Sequence, residues 1–432
     1  MGQTPQHLLR LRACFVYNAD TMREVVDALR AVAPVETEGA CAAYTLDGCT
    51  PVVVVKPTHA VEVGAVMQVC HRYRAPGVVW GGGTHVHTGN PASQYLWAMD
   101  MRGLARAADY SPADLVVTVE AGMTLSALQG ILGVHHQWLP VDAPLPDVQT
   151  VGGIVASGDA GPKRQRYGLP REWLLAVRAV LPSGESIKAG VGVVKNVAGY
   201  DLPRLLAGSW GTLGVLVELT FKVAPLPEVC AAYCLPLEGA HLLSDLRDAL
   251  NHPLLQPEML EVTYRMGEGW QCVCGLAGFE EDVRWQSNLL RERTRSEWLP
   301  ITSEEVEQLR GRYLFARPTC RCRCVVPPAQ TADLLMWLSR RFAEAEVQAH
   351  FGAGVVRLWW AEDPPAMESL RELREQTHRL GGFCVLEHAP VGVKRTLGVW
   401  DATGGAAKVM RRLKERFDPQ AILAPGRFVE GL

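Results

Sequence analysis

The sequence has 432 residues, enough for two to four domains at about 100–200 residues each. Hydrophobic residues make up 48% and charged residues 21%, which suits a globular chain with a large core; a formal charge of −3 supplies no general attraction to nucleic acid or to an anionic membrane surface. No apolar run approaches the ~18–20 residues of a membrane span. The opening "MGQTPQHLLRLR" lacks a signal core and carries Gln6 where a myristoylation signal needs Ser or Thr, so the expected location is the cytoplasm, with any contact to the inner membrane made through partners.

In chain order, "TMREVVDALRAV" places Val25, Val26, Leu29 and Val32 on one helical face. "CTPVVVVKP" reads as a buried strand, "THAVEVGAVMQVCHRYR" as a helix capped by Thr58, and "GVVWGGG" as a second strand, together a βαβ unit. "ADLVVTVEAG" alternates as a strand and "TLSALQGILG" opens a short helix at Thr124. The Gly/Pro-rich segment from Gln137 to Gly168 reads as a long functional loop. Two strands joined by the turn Pro182-Ser183-Gly184 follow, then a short helix in "YDLPRLLAGSWGTLG" and the alternating strand "VLVELTFKV". "APLPE", with two prolines, marks a domain boundary.

Beyond it, "CAAYCLPL", "EMLEVTY", "WQCVCGL", "CRCRCVV" and "GVVRLWW" read as strands, with "ADLLMWLSRRFAEA" and "MESLRELREQTHRL" as helices, predicting an antiparallel sheet covered by helices. Cysteines spaced two apart in "WQCVCG" and "TCRCRCVV" follow strand period and point to buried free thiols, since C-x₂-C ligand spacing is absent. The tail "AAKVMRRLKERFDPQAILAPGRF" begins as a helix and ends as an extended arm.

The stretch "VVWGGGTHVHTGN" poses the functional question. Consecutive glycines let backbone N–H groups converge on an anion, and Thr84 adds a hydroxyl. No G-x-x-x-x-G-K-[ST] is present, and the loop runs on to Pro91 instead of opening a helix, so neither a P-loop nor a Rossmann fingerprint fits. His85 and His87 lack a carboxylate or thiol at ligand spacing, so no metal is expected here. A glycine cluster alone is as consistent with a plain turn. Two further loops, "QTVGGIVASGDAGPKRQRYG" and "AGSWGTLGVLVE", favour one extended ligand with more than one polar section, such as a dinucleotide.

The motifs "VVWGGGTHVHTG", "PDVQTVGGIVASGDAGPKRQRYG", "KNVAGYDLPRLLAGSWGTLGVLVELTFKVAP" and "FDPQAILAPGRF" resemble the FAD-binding PCMH-type (vanillyl-alcohol oxidase-like) flavoprotein family, and within it the FAD-binding subunits of glycolate oxidases. The resemblance implies an α+β chain: an N-terminal segment over 1–50, a two-lobed FAD-binding domain over 51–227, an α+β cap or partner domain over 228–400, and a C-terminal helix and arm over 401–432 returning to the FAD domain. It implies non-covalent FAD. Gly81, Gly82, Gly83, Thr84, His85 and Val86 would cradle the pyrophosphate; Val151, Gly152, Gly153, Ser157 and Gly161 would follow the flavin and ribityl chain; Gly211, Thr212, Gly214 and Val215 would meet the adenosine end. Ala424 stands where the family has Asn before Pro-Gly-Arg, and Trp80 where a polar residue opens the first loop.

Oxidising a 2-hydroxy acid needs a cation for the carboxylate and a base for the hydroxyl proton. Relatives that do so carry H-x-G-D-G-N-x-H, a metal motif; here "AHFGAGVVRLWW" keeps His350 but has Ala353 and Arg357 in place of the acid and the later histidine. His350 and Arg357 are candidates for base and anchor, or a sheet histidine and a salt-bridged arginine. Lys195 is a candidate cation beside the flavin, or a salt-bridge partner of Asp201. His388, Lys394 and Arg395 form a second polar set, or a surface loop. The resemblance implies a subunit of a glycolate oxidase-type complex that oxidises a small 2-hydroxy acid and passes electrons to a sister FAD subunit and an iron–sulfur subunit. The alternative is a non-catalytic FAD-binding or scaffolding subunit.

Overall fold

The computed structural model describes residues 17–92, 95–190, 201–315, 318–401 and 404–432. Three large sheets organise the described residues, beside a two-stranded pair of Gln137–Trp138 with Ala224–Pro225. The first is four-stranded, in the order Val35–Thr37, Val53–Val55, Trp97–Asp100, Gly77–Trp80. The expected βαβ unit is there, with helix Ala60–Tyr73 between its strands, but Trp97–Asp100 lies between those strands, parallel to both. The helix starts one residue later than its Thr58 cap predicts: Glu62 accepts from the N–H groups of Thr58 and His59, and His59 takes the cap position.

The second sheet is five-stranded and antiparallel, ordered Ala107–Ser111, Val116–Glu120, Val215–Lys222, Leu174–Val180, Ser186–Gly190. The strand Val215–Lys222 is buried on both faces. Val215 and Val217 join the first sheet's core, whereas Leu216, Leu219 and Phe221 join the core under the second. This shared strand locks the two lobes together.

The third sheet has eight strands, all antiparallel, running Leu299–Ile301, Val229–Leu237, Gly269–Gly278, Met259–Arg265, Glu346–His350, Val355–Trp360, Cys320–Val325, Phe383–His388. Helices Leu243–Leu250, Glu280–Thr294, Thr331–Arg341 and Met367–Arg379 contribute leucines to its apolar core. Cys272, Cys274, Cys320, Cys322 and Cys324 sit in that core as free thiols, as strand period predicts.

The long segment 137–168 departs from the loop expected. It holds helices Val151–Ser157 and Arg164–Tyr167. Its two glycines hide the first helix from propensity, while the Thr150 side chain caps it by accepting from the Gly153 N–H at 3.2 Å. A Cβ on Gly152 would stand 2.7 Å from the Ala121 carbonyl, so glycine lets this helix lie against the strand end. The C-terminal arm returns to the first sheet: Gly77 N–H donates to Ile422 O at 2.9 Å, and Ala424 N–H to Gly77 O at 2.8 Å.

Candidate functional site

The three glycine turns open onto one cavity with an empty volume of about 1050 Å³, its solvent-facing mouth included. Residues 81–86 form part of the wall, with Gly152, Gly153, Ser157, Gly211, Thr212, Gly214 and Val215. Val151 and Gly161 are not brought to it. Val151 is buried in the apolar core beneath, and the Gly161 N–H donates to Asp142 O at 2.7 Å. Sequence reasoning missed Thr150, Trp210, Trp400, Arg427 and Phe428, which complete the wall. Thr150 and Trp210 lie within the second and third loops already singled out, and Arg427 and Phe428 within "APGRF", whereas Trp400 lies in none of these motifs.

Close packing sets the first turn. A Cβ on Gly82 would lie 1.9 Å from Val148 O, so the first and second turns touch through bare backbone. Among the described residues, the N–H groups of residues 81–85 donate to no acceptor. Five neighbouring unpaired amides on a cavity wall suit a diphosphate. Trp80 also lines the cavity, and its buried indole Nε1 has no partner among the described residues. Trp210, Trp400 and Phe428 meet edge-to-face, at ring separations of 5.2 and 5.0 Å, and supply aromatic surface for flat rings. The donor set and the wall therefore fit FAD.

The second half of the first loop is fastened by distant residues. Lys394, fully buried, donates to His87 O and to Asp47 Oδ1, both at 2.7 Å. Arg427 pairs with Asp47 at 3.3 Å and donates to Val86 O. Asn90 Nδ2 donates to Gly426 O and Phe428 O. Of the second polar set, Lys394 is therefore a buried strut. The His388 ring stacks edge-on to His87 at 6.1 Å, and burial, reinforced by Arg321 and Lys394, pushes its pKa down to about 4.

His85 is fixed at both nitrogens, Nε2 to Asp159 Oδ2 at 3.1 Å and Nδ1 to Thr84 Oγ1 at 3.0 Å. Asp159 opens a buried ionic network toward the third sheet. Arg357 Nη2 donates to both Asp159 oxygens at 2.6 and 2.7 Å, and its Nε to Glu387 Oε2 at 3.3 Å. Arg321 and Arg323 pair with Glu387 at 3.1 and 3.3 Å, and Arg323 reaches Asp159 at 3.5 Å. Burial opposes ionisation of Asp159, yet Arg357, His85 and Arg323 outweigh it and hold the carboxyl well below the usual range. Glu387 is likewise lowered: Arg357, Arg323 and Arg321 overcome burial and the repulsion of Asp159.

His350 and Arg357 are brought together, but away from the cavity wall. His350 Nδ1 lies 2.8 Å from Glu261 Oε1 and its Nε2 lies 3.1 Å from Arg357 Nη1, so neither nitrogen is open to a substrate hydroxyl. Both residues are buried. Lys195 lies outside the described residues; its alternative partner Asp201 caps helix Leu202–Leu206 and pairs with Arg204 at 3.3 Å. Among the described residues, no group of three His, Cys, Asp or Glu side chains is arranged to hold a metal ion, and no helix is long and apolar enough to cross a membrane.

Residues 51–190 match the family described as FAD binding domain, and residues 322–428 the FAD linked oxidases, C-terminal domain. The chain is 26% identical over 424 residues to the mitochondrial D-lactate dehydrogenase [cytochrome] of Arabidopsis thaliana, covering 88% of this chain and 73% of that one. It is 34% identical over 182 residues to glycolate oxidase subunit GlcE of Escherichia coli, 42% of this chain and 51% of GlcE, and 24% identical over 419 residues to GlcD of Bacillus subtilis, 87% and 88% of the two chains. In fold it resembles 4-ethylphenol oxidase from Gulosibacter chungangensis, with a TM-score of 0.72 at 13% identity over 96% of this chain and 98% of that one. It also resembles p-cresol methylhydroxylase, with a TM-score of 0.70 at 15% identity over 95% and 97%. Cavity, sequence and fold agree: the chain carries an FAD binding domain and an FAD linked oxidases C-terminal domain in a fold like that of p-cresol methylhydroxylase, and FAD is its cofactor.

Proposed function

We propose that this chain is the FAD-binding subunit of a glycolate oxidase-type complex that converts a small 2-hydroxy acid to its 2-oxo acid. The observation that carries the reading is the convergence of unpaired amides 81–85 with the second and third turns on one cavity. Relatives named D-lactate dehydrogenase, D-2-hydroxyglutarate dehydrogenase and glycolate oxidase subunit support the substrate class. FAD, when bound, supplies the two-electron acceptor for the Cα–H of such an acid. The chain's own part is to hold the diphosphate on residues 81–85, to fix His85 through Asp159 and Thr84, and to close the wall with Arg427 and Phe428. With both His85 nitrogens engaged, the cofactor is held without a covalent bond to it. The FAD domain at 51–227, the partner domain at 228–400 and a cytoplasmic site of action complete the proposal, with electrons leaving through a sister flavin subunit and an iron–sulfur subunit.

One observation favours a division of labour in which the sister flavoprotein performs the oxidation. His350, kept from the substrate motif, and Arg357, which stands in place of its later histidine, spend their polar atoms on Glu261, Asp159, Glu387 and each other. Anaerobic addition of glycolate or D-lactate tests this. The flavin of the isolated chain is expected to stay oxidised and to bleach once the partner subunits are present. Bleaching of the isolated chain would make it the oxidising subunit, and a preparation without flavin in either form would defeat both readings.

A further inference from the structure

Three groups in the buried network look like ligands. His350 presents Nε2 to Arg357 at 3.1 Å. Because a guanidinium only donates, the network assigns the lone pair to Nε2 and the proton to Nδ1, where Glu261 accepts it at 2.8 Å. A carboxylate behind a histidine whose other nitrogen faces a cation is the arrangement that orients histidines on metal ions. Asp159 and Glu387 add two carboxylates facing the same point, at 2.6 and 3.3 Å from Arg357. The point they share is filled by the guanidinium, each donor taking a different nitrogen: Nη1 for His350, Nη2 for Asp159 and Nε for Glu387. With that planar cation filling the space between them, they leave no seat for an ion at bond lengths of about 2 Å while Arg357 is present. The metal that the motif of related hydroxy-acid dehydrogenases implies therefore does not fit this chain.

We infer that the Arg357 guanidinium is a tethered replacement for a divalent cation, held by His350, Asp159 and Glu387, each on a different guanidinium nitrogen. The charge balance supports it. One guanidinium carries half the charge of a divalent ion; Arg323, paired with both Asp159 and Glu387, supplies the missing unit, and Arg321 adds a further charge on Glu387. Unlike an ion, this cation cannot be removed by a chelator, and it has no vacant orbital for a substrate oxygen. The inference holds whichever hydroxy acid the assembly oxidises.

The test compares FAD-loaded wild type with Arg357→His, each incubated with zinc sulfate, desalted and measured for zinc per flavin and for melting temperature with and without EDTA. Wild type is expected to carry essentially no zinc and to melt identically in EDTA. Arg357→His is expected to take up about one zinc per chain and to lose several degrees in EDTA, while adding His350→Ala abolishes the uptake. Stoichiometric zinc in wild type, stripped by EDTA with a fall in melting temperature, would overturn the inference. So would Arg357→His that keeps wild-type flavin content yet binds no more zinc than the double variant. If Arg357→His folds only with zinc present, the inference stands; if it folds in neither medium, the donor set cannot accept an ion and the inference falls.

Discussion

At the scale of single residues, burial and charge decide most outcomes. Gly82→Ala places a methyl 1.9 Å from Val148 O, against backbone that cannot yield. Flavin content on purification is expected to fall at least several-fold, with about 1–3 kcal/mol lost in urea unfolding of what remains; wild-type flavin content would show that the two turns do not need this contact. Asp159→Asn leaves Arg357 and Arg323 facing one carboxylate fewer, and should cost about 3–5 kcal/mol in urea unfolding. The pH dependence divides into two windows. His388, held near 4, binds no proton in the native state where the unfolded chain does, so stability falls as pH drops from about 6.5 toward 4. Asp159 and Glu387, both lowered, stabilise fully above about pH 4 and lose that contribution as pH falls through their folded values. Urea midpoints measured from pH 8 to pH 3 should flatten in the upper window for His388→Gln and in the lower for Asp159→Asn; an unchanged profile in either variant contradicts the assignment.

Among elements, the C-terminal helix Ala406–Phe417 does more than end the chain. Its buried Lys414 donates to Thr212 O at 2.9 Å on the third turn, to Leu423 O at 2.8 Å on the arm, and pairs with Asp418 at 2.6 Å. Lys414→Ala is expected to weaken FAD binding about ten-fold or more, through loss of a buried charged network, measured by flavin fluorescence on titration into apoprotein. Retention of wild-type affinity would mean that helix and arm are held by other contacts. This level also shows what the sequence made legible. Two strands of the third sheet were readable because Cys272, Cys274, Cys320, Cys322 and Cys324 keep strict strand period, and "VLVELTFKV" because it alternates, whereas Leu299–Ile301, Glu346–His350 and Phe383–His388 were not read as strands. Helix Val151–Ser157 was not, since Gly152 and Gly153 argue against a helix and its cap acts only in three dimensions. Trp97–Asp100 was missed for a similar reason: its slot between the two strands of the βαβ unit is set by packing, and no periodicity in four buried residues announces it.

For the whole molecule, the site is an agreement between segments far apart in sequence. The glycine turns were legible as a set, whereas Asp159 with Arg357, 198 positions apart, and Asp47 with Lys394, 347 apart, carry no local signal of their pairing. The cavity joins both lobes and the returning arm, so FAD should act as a structural ligand as well as a redox one. Stripping the flavin is expected to lower the melting temperature by several degrees, and free FAD at 100 times its Kd to restore about 2.7 kcal/mol; equal melting of apo and loaded forms would argue that the turns are closed without it. The clamp on residues 86–90 has a further consequence for biosynthesis. Asp47 is translated 380 positions before Arg427, and both fasten the same loop. The clasp cannot close until Arg427 has left the ribosomal tunnel, so a nascent chain that already displays all three glycine turns still lacks the fastening of its first loop.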